Sequence, residues 1–232
     1  MGENTKELRS RMKSVDSTLH LTNAMGLVAS SKLRRASDAN NACAAYTEAC
    51  RRAAAGLAAS GDCQRSLWVA GNGSEQKKLI VIAGDRGLAG GYNAKIFRLT
   101  AETGVQDIVA IGRRACERFG QPLRSSEHFS NQDALELAQT LCQQYRAGAF
   151  GALGIVFTRY HSMLSQTAEL SWILPMSPET GGSHENLSFE PADATEVLDR
   201  AVPLYVAGLL MSAVRESFAC EVSARRMAMD SA

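Results

Sequence analysis

Residues 4–58 read NTKELRSRMKSVDSTLHLTNAMGLVASSKLRRASDANNACAAYTEACRRAAAGLA. The stretch holds no proline, and its only glycines are Gly26 and Gly56. Most other positions are good helix formers. Leu8, Met12, Val15, Leu19, Thr22, Gly26, Ala29, Leu33, Ala36, Asn40, Cys43, Thr47 and Cys50 recur at alternating spacings of four and three. That is a heptad seam sustained over about six heptads. Asn4, with Glu7 three residues on, is the expected N-cap. At about 1.5 Å per residue the helix is roughly 80 Å long. A compact body of this size needs no helix of that length. The helix must leave the body, and its seam needs a partner.

The partner is expected at the other end of the chain. Residues 193–232 also read as helix, with Asp193 and Glu196 as the start signal. Leu204, Val206, Leu209, Leu210, Val214, Phe218 and Val222 make a wide apolar stripe. With Ala58 level with Thr195, the equal rise of two antiparallel helices sets Ala232 opposite about residue 21. Leu8, Met12, Val15 and Leu19 then face no partner within the chain.

Between the helices the pattern changes. Residues 59–76, with Gly61, Asp62, Gly71, Asn72, Gly73 and Ser74, read as a break. Lys78–Ala83 is a short apolar run suited to a buried parallel strand. A second strand is expected at 107–112, a third near Leu123–Glu127, and further strands at Gly151–Tyr160 and Gln166–Leu174, the last two as a hairpin. Helices are expected at about Tyr92–Glu102, Arg113–Phe119 and Asp133–Arg146, the last capped by Asp133 or Asn131. Strands alternating with short helices mean an α/β sheet. Residues 175–192 read as loop. The expected organisation is an antiparallel coiled coil of segments 1–58 and 193–232 around a central, Rossmann-like α/β domain, 77–175.

Charge is nearly balanced, at +1 over 232 residues, so nothing global points to nucleic acid. Lys6, Arg9, Arg11, Lys13, Lys32, Arg34 and Arg35 nonetheless make the start of the long helix basic, which suits a shaft entering an acidic partner. Cys43, Cys50, Cys63, Cys116, Cys142 and Cys220 show no paired spacing and no CxxC, as expected in a reducing cytosol. No signal peptide precedes the helix pattern. Ala201–Val214 is the longest apolar candidate for a membrane span, too short and interrupted by Pro203.

Gly84-Asp85-Arg86-Gly87-Leu88-Ala89-Gly90-Gly91 lies after a strand and before a helix, where phosphates bind. It matches neither GxGxxG nor GxxxxGK[ST]. The favoured reading is a tight turn in which Asp85 and Arg86 make local hydrogen bonds. His20, His128, His161 and His184 are scattered, without metal-ligand spacing. No catalytic constellation is present, and neither a metal nor a cofactor is expected.

Three blocks carry a family resemblance. Residues 21–36, LTNAMGLVASSKLRRA, resemble TKAMxMVAASKMRRA; residues 85–93, DRGLAGGYN, resemble DRGLCGGxN; residues 216–232, ESFACEVSARRMAMDSA, resemble ESLASExAARMxAMxxA. Tyr160–Pro175 and Phe189-Glu190-Pro191 are also similar. These are patterns of the gamma subunits of F-type ATP synthases, and they occur in the family's order along the whole chain. The departures are Gly26 where the family usually has Glu, and Ala89 where it commonly has Cys. Gly26 costs about 1 kcal/mol of helix propensity against Ala but admits another helix closely. The family's chains also run on past the position of Ala232, so this sequence reads either as a piece or as a chain lacking the shaft tip.

The resemblance implies a non-catalytic rotor subunit. It implies a shaft within a ring of alpha and beta subunits, and a base that rests with epsilon on a membrane ring of c subunits. Rotation driven by proton flow then makes the catalytic sites of the ring differ. It implies a peripheral place on the cytoplasmic side of a bacterial cell membrane. Met25, Lys32, Arg34 and Arg35 from the first block, and Arg225, Arg226 and Met229 from the third, are the implied ring contacts. The rival readings are a nucleotide-binding α/β enzyme using Gly84–Gly91, and a coiled-coil adaptor unrelated to ATP synthesis.

Overall fold

A computed structural model describes residues 2–177 and 193–232, with side chains from residue 5 onward. The long helix α1 spans Gly2–Ala59, 58 residues without interruption. Because it starts at Gly2, Asn4 lies inside the first turn and is not the cap. The returning helix α6 spans Ala194–Asp230, and the Asp193 carboxylate caps it by accepting from Thr195 N at 2.9 Å.

Small residues make the seam between the two helices. Gly26, Ala29, Ala36, Thr47, Ala54, Leu57 and Ala58 are buried on α1. Arg226 and Met229 of α6 lie over Gly26, with the Arg226 guanidinium donating to Ser30 Oγ at 2.8 Å. Farther down, Tyr46 and Cys50 pack at Gly208. The pairing follows the register that equal helical rise dictates. Its consequence is also present: residues 5–20 are exposed throughout, with Leu8 59%, Met12 65%, Val15 68% and Leu19 54% accessible. Leu204, placed in the apolar stripe of α6 by periodicity, is exposed instead.

At the base, the break after α1 contains a 3-10 turn, Cys63–Arg65, and a short helix α2, Leu67–Ala70, capped by the Ser66 hydroxyl. Then follow β1 (Lys77–Ile82), α3 (Tyr92–Glu102), β2 (Asp107–Ile111), α4 (Arg113–Phe119), α5 (Asn131–Arg146), β3 (Ala152–Tyr160) and β4 (Gln166–Leu174). The sheet is four-stranded in the order β2-β1-β3-β4. β1 is parallel to β2 and β3, and β4 closes the edge as the antiparallel partner of β3. Alternation along the strands divides the core. Ile80, Ile82, Leu153, Ile155 and Phe157 face the core shared with α5, α6 and the base of α1. Leu79, Val81 and Val156 face the core formed with Ile96 of α3 and Ala115 and Cys116 of α4.

Two expectations need correction. Leu123–Glu127 is not a strand. The outer edge of β2 is satisfied by a side chain: Gln121 accepts from Ala110 N at 2.8 Å and donates to Ile108 O. The cap of α5 is neither Asp133 nor Asn131. It is Ser130, which accepts from Asp133 N at 3.1 Å while the Asp133 carboxylate accepts from Ser130 N at 2.8 Å. Most of the expected loop 175–192, with Phe189-Glu190-Pro191, lies outside the described residues.

By length and mean hydropathy α6 alone among the described helices could cross a membrane. Its apolar residues here are spent on the core: Leu198, Val202, Val206, Leu210, Val214 and Val222 are buried against the rest of the chain.

Candidate functional site

In an open α/β sheet, ligands bind outside the carboxyl ends of the strands where strand order reverses. Here that point is the end of β1, between β2 and β3, and the Gly84–Gly91 loop occupies it. The loop presents backbone N–H groups, and the first three are already taken, that of Gly84 by Asn93 Oδ1 at 2.9 Å. Glu221 of α6, 1% exposed, enters the crevice. Its carboxylate accepts from Asp85 N and from Arg86 N, both at 3.2 Å. It also pairs with Arg225 one turn on, and Arg225 Nε donates to Gly87 O at 3.2 Å. A protein carboxylate therefore sits where a phosphate would. Gly84 is required by this arrangement, since a Cβ there would lie 2.7 Å from Glu221 Cδ.

The Asp85 carboxylate makes contacts that are far from local. It accepts from Arg113 N (2.8 Å), Ser125 Oγ (2.6 Å), Ser126 N (3.0 Å) and Glu127 N (2.9 Å). Burial alone would raise its pKa; the hydrogen bonds from Ser125, Glu127, Arg113 and Ser126 outweigh burial and hold it below the usual carboxylate value. The loop after α4 is thereby wrapped around Asp85, and it presents Glu127 toward α1. Glu127 pairs with Lys32 of α1 and, at 3.4 Å, with Arg86.

The third block docks the sheet onto α6. β3 runs beyond the last residue of β1 that pairs with it, which leaves amides on that side of β3 without a strand. Ser217 Oγ accepts from Thr158 N at 3.1 Å, and Glu216 accepts from Tyr160 N at 2.9 Å. Tyr92, at the start of α3, donates its hydroxyl to Ser217 O at 2.9 Å. Its burial, with Glu221 nearby, pushes the phenol well above its ordinary pKa. Burial also raises the Cys220 thiol, which donates to Thr158 O at 3.5 Å. These groups hold neutral forms and act as fasteners.

The motif blocks thus converge on one collar around the shaft. Beside it opens a groove of about 520 Å³ lined by Met25, Val28, Lys32, Arg86, Leu88 and Arg225, among others. Leu88 is 64% exposed and holds a left-handed backbone, φ 58°. The expected contact residues divide. Arg34 and Arg35 are exposed and bond to no described residue. Met25 and Met229 are half-buried along the seam. Arg226 is held by Asp230 at 2.8 Å as well as by Ser30. Lys32 and Arg225 are engaged inside the chain. An Arg225→Glu exchange would set a second carboxylate against Glu221 and cannot be a neutral surface change.

The residues that sequence reasoning missed are Glu127, Glu216 and Glu221. A signal existed for the latter two, carboxylates set within the apolar stripe of α6. None existed for Glu127, whose partners are distant in sequence. Among the described residues no cluster of His, Cys, Asp and Glu has the makings of a metal site.

Comparison with known proteins matches residues 4–232 to the ATP synthase family model. A gamma chain from Ruminococcus albus is 35% identical over 248 residues, covering 99% of this chain and 86% of that one. A gamma chain from Dinoroseobacter shibae is 34% identical, covering 99% and 87%. In fold, the chain is similar to a chain of the Tetrahymena thermophila mitochondrial ATP synthase central stalk and c-ring structure, with TM-score 0.66 at 16% identity over 91% of this chain and 98% of that one. It is also similar to a chain of the Euglena gracilis mitochondrial ATP synthase rotor, with TM-score 0.65 at 17% identity over 100% and 91%. With its motif blocks gathered at one collar and its relatives aligned along almost its whole length, the chain belongs to the ATP synthase gamma-chain family.

Proposed function

We propose that this chain is the non-catalytic rotor of an F-type ATP synthase, turning as one body within a membrane-associated complex. Its shaft enters a ring of alpha and beta subunits. Its α/β base, with epsilon, rests on the ring of c subunits, on the cytoplasmic side of a bacterial cell membrane. The observation that carries this reading is the collar: the Gly84–Gly91 loop is bonded to Glu221 of α6, and the loop after α4 to Lys32 of α1, so that the base and the helix pair are joined as one body.

As the shaft turns, it is a ligand with a different affinity for each conformation of the ring. Arg34 and Arg35, pointing outward, carry the charged contact with the ring; Met25, Arg226 and Met229 supply contacts at the seam. Reconstitution with alpha and beta subunits tests the reading. The chain should co-purify with them, and ATP hydrolysis in membranes should then pump protons. A ring that neither retains the chain nor depends on it for pumping refutes it.

The nucleotide-binding alternative meets Glu221 in its phosphate seat. Calorimetry with ATP, ADP and NAD should show only heats of dilution, and a dissociation constant tighter than about 100 μM would restore that alternative.

A further inference from the structure

The shaft must hold its orientation on the base under load. α1 packs along α6 through a line of small residues, from Gly26 and Ala29 to Ala54 and Ala58. At its foot α1 is set in the main core through Ala54, Leu57 and Ala58; above the foot, contacts along one line resist separation but oppose rolling of one helix about the other poorly, and a support off that line opposes it better. Lys32 provides it, reaching from α1 to Glu127, which belongs to neither helix. Both side chains are largely shielded, at 29% and 19% exposure, and Arg86 holds the other carboxylate oxygen of Glu127 at 3.4 Å.

Glu127 does not hang on a free loop. Its own N–H is bonded to the Asp85 carboxylate at 2.9 Å, and the Asp85 N–H is bonded to Glu221 of α6 at 3.2 Å. Bonds therefore run in a closed circuit from α6 through the Gly84–Gly91 loop and the loop after α4 to α1. We propose that Lys32 and Glu127 form a latch that fixes the roll of α1 on the base, so that rotation of the base is delivered to the shaft without slip. Lys32 is then a positioning residue within the rotor, not a contact of the ring. This inference rests on the rotor reading and adds a specific coupling device to it.

The test uses the assembled complex in membrane vesicles, measuring protons pumped per ATP hydrolysed. Lys32→Met and Glu127→Gln should each lower that ratio at least about twofold, with hydrolysis retained. The double variant should be no worse than either single one, because both break the same link. Lys32→Arg, which keeps charge and reach, should restore the ratio; a purely steric role would not follow charge in this way. Circular dichroism melts of the free chains should stay close to that of the wild type. An unchanged ratio in either single variant, additive losses in the double, no rescue by arginine, or lost assembly in place of lost coupling overturns the latch. A wild-type complex that does not pump at all refutes the rotor reading instead, which keeps the two failures apart.

Discussion

Replacing Glu221 by alanine is the most informative single perturbation of the collar. The side chain is 2% exposed. Its loss leaves the N–H groups of Asp85 and Arg86 without their acceptor and the Arg225 guanidinium, 11% exposed, without its counter-ion. Removing one partner of a buried pair costs about 3–5 kcal/mol. Arg225 keeps its bond to Gly87 O, and water can enter the vacated space, so the lower end applies, about 3 kcal/mol. For a chain of this size that is a fall in Tm of roughly 6–12 °C. Denaturant unfolding followed by circular dichroism should show a lower midpoint at unchanged slope.

Gly84 supplies an internal control. In the wild type, Gly84→Ala drives a Cβ to 2.7 Å from Glu221 Cδ, an overpacking worth about 1–3 kcal/mol. In the Glu221→Ala background that clash is gone. The double variant should therefore be more stable than the sum of the single losses implies, by about 1–3 kcal/mol. Additivity within about 0.5 kcal/mol would refute the reasoning that Glu221 fills the crevice above Gly84.

The remaining predictions concern charge, dynamics and pH. Arg34→Glu should leave the melt of the free chain within about 0.5 kcal/mol of wild type and weaken assembly with the ring, whereas Arg225→Glu should lower the melt by about 3 kcal/mol or more; equal melts would show that Arg225 is not an internal fastener. Hydrogen exchange should be fast across residues 5–20 in a monomer, or slow only in a concentration-dependent oligomer; slow exchange in a proven monomer would contradict the register of α1 on α6. Asp85 has a lowered folded pKa, so its stabilising contribution is fully present above the unfolded value of about 3.9 and is lost as pH falls through the folded value. Asp85→Asn should flatten that part of the acid-unfolding curve, and an unchanged curve would show that the carboxylate is not held by its Ser125, Glu127, Arg113 and Ser126 bonds.

The elements whose cause is periodic or local could be read from the residues alone. The heptad seam of α1, the start of α6 at Asp193, and the β3–β4 hairpin were all legible, because helix and strand periods and caps act over a few residues. Even the helix register followed, since two helices with equal rise leave one free parameter and the loop ends set it. Local chemistry misled where a tertiary partner took over a local role. Leu123–Glu127 lies where strand–helix alternation calls for a strand, yet the amides of Ser126 and Glu127 serve Asp85, and β2 is completed by a glutamine side chain instead. The role of the glycine loop emerges only once the chain is folded. Its position after β1 is that of a phosphate seat, and its glycine spacing argues against one without saying what fills the place; the deciding group is the carboxylate of Glu221, more than a hundred residues away, delivered by the helix that the long seam recruits. The same holds for Lys32 and Arg225, whose motif reads as surface charge until folding sets Glu127 and Glu221 against them. Burial and pairing of charge depend on distances between segments far apart in the chain, and periodicity carries no record of those distances.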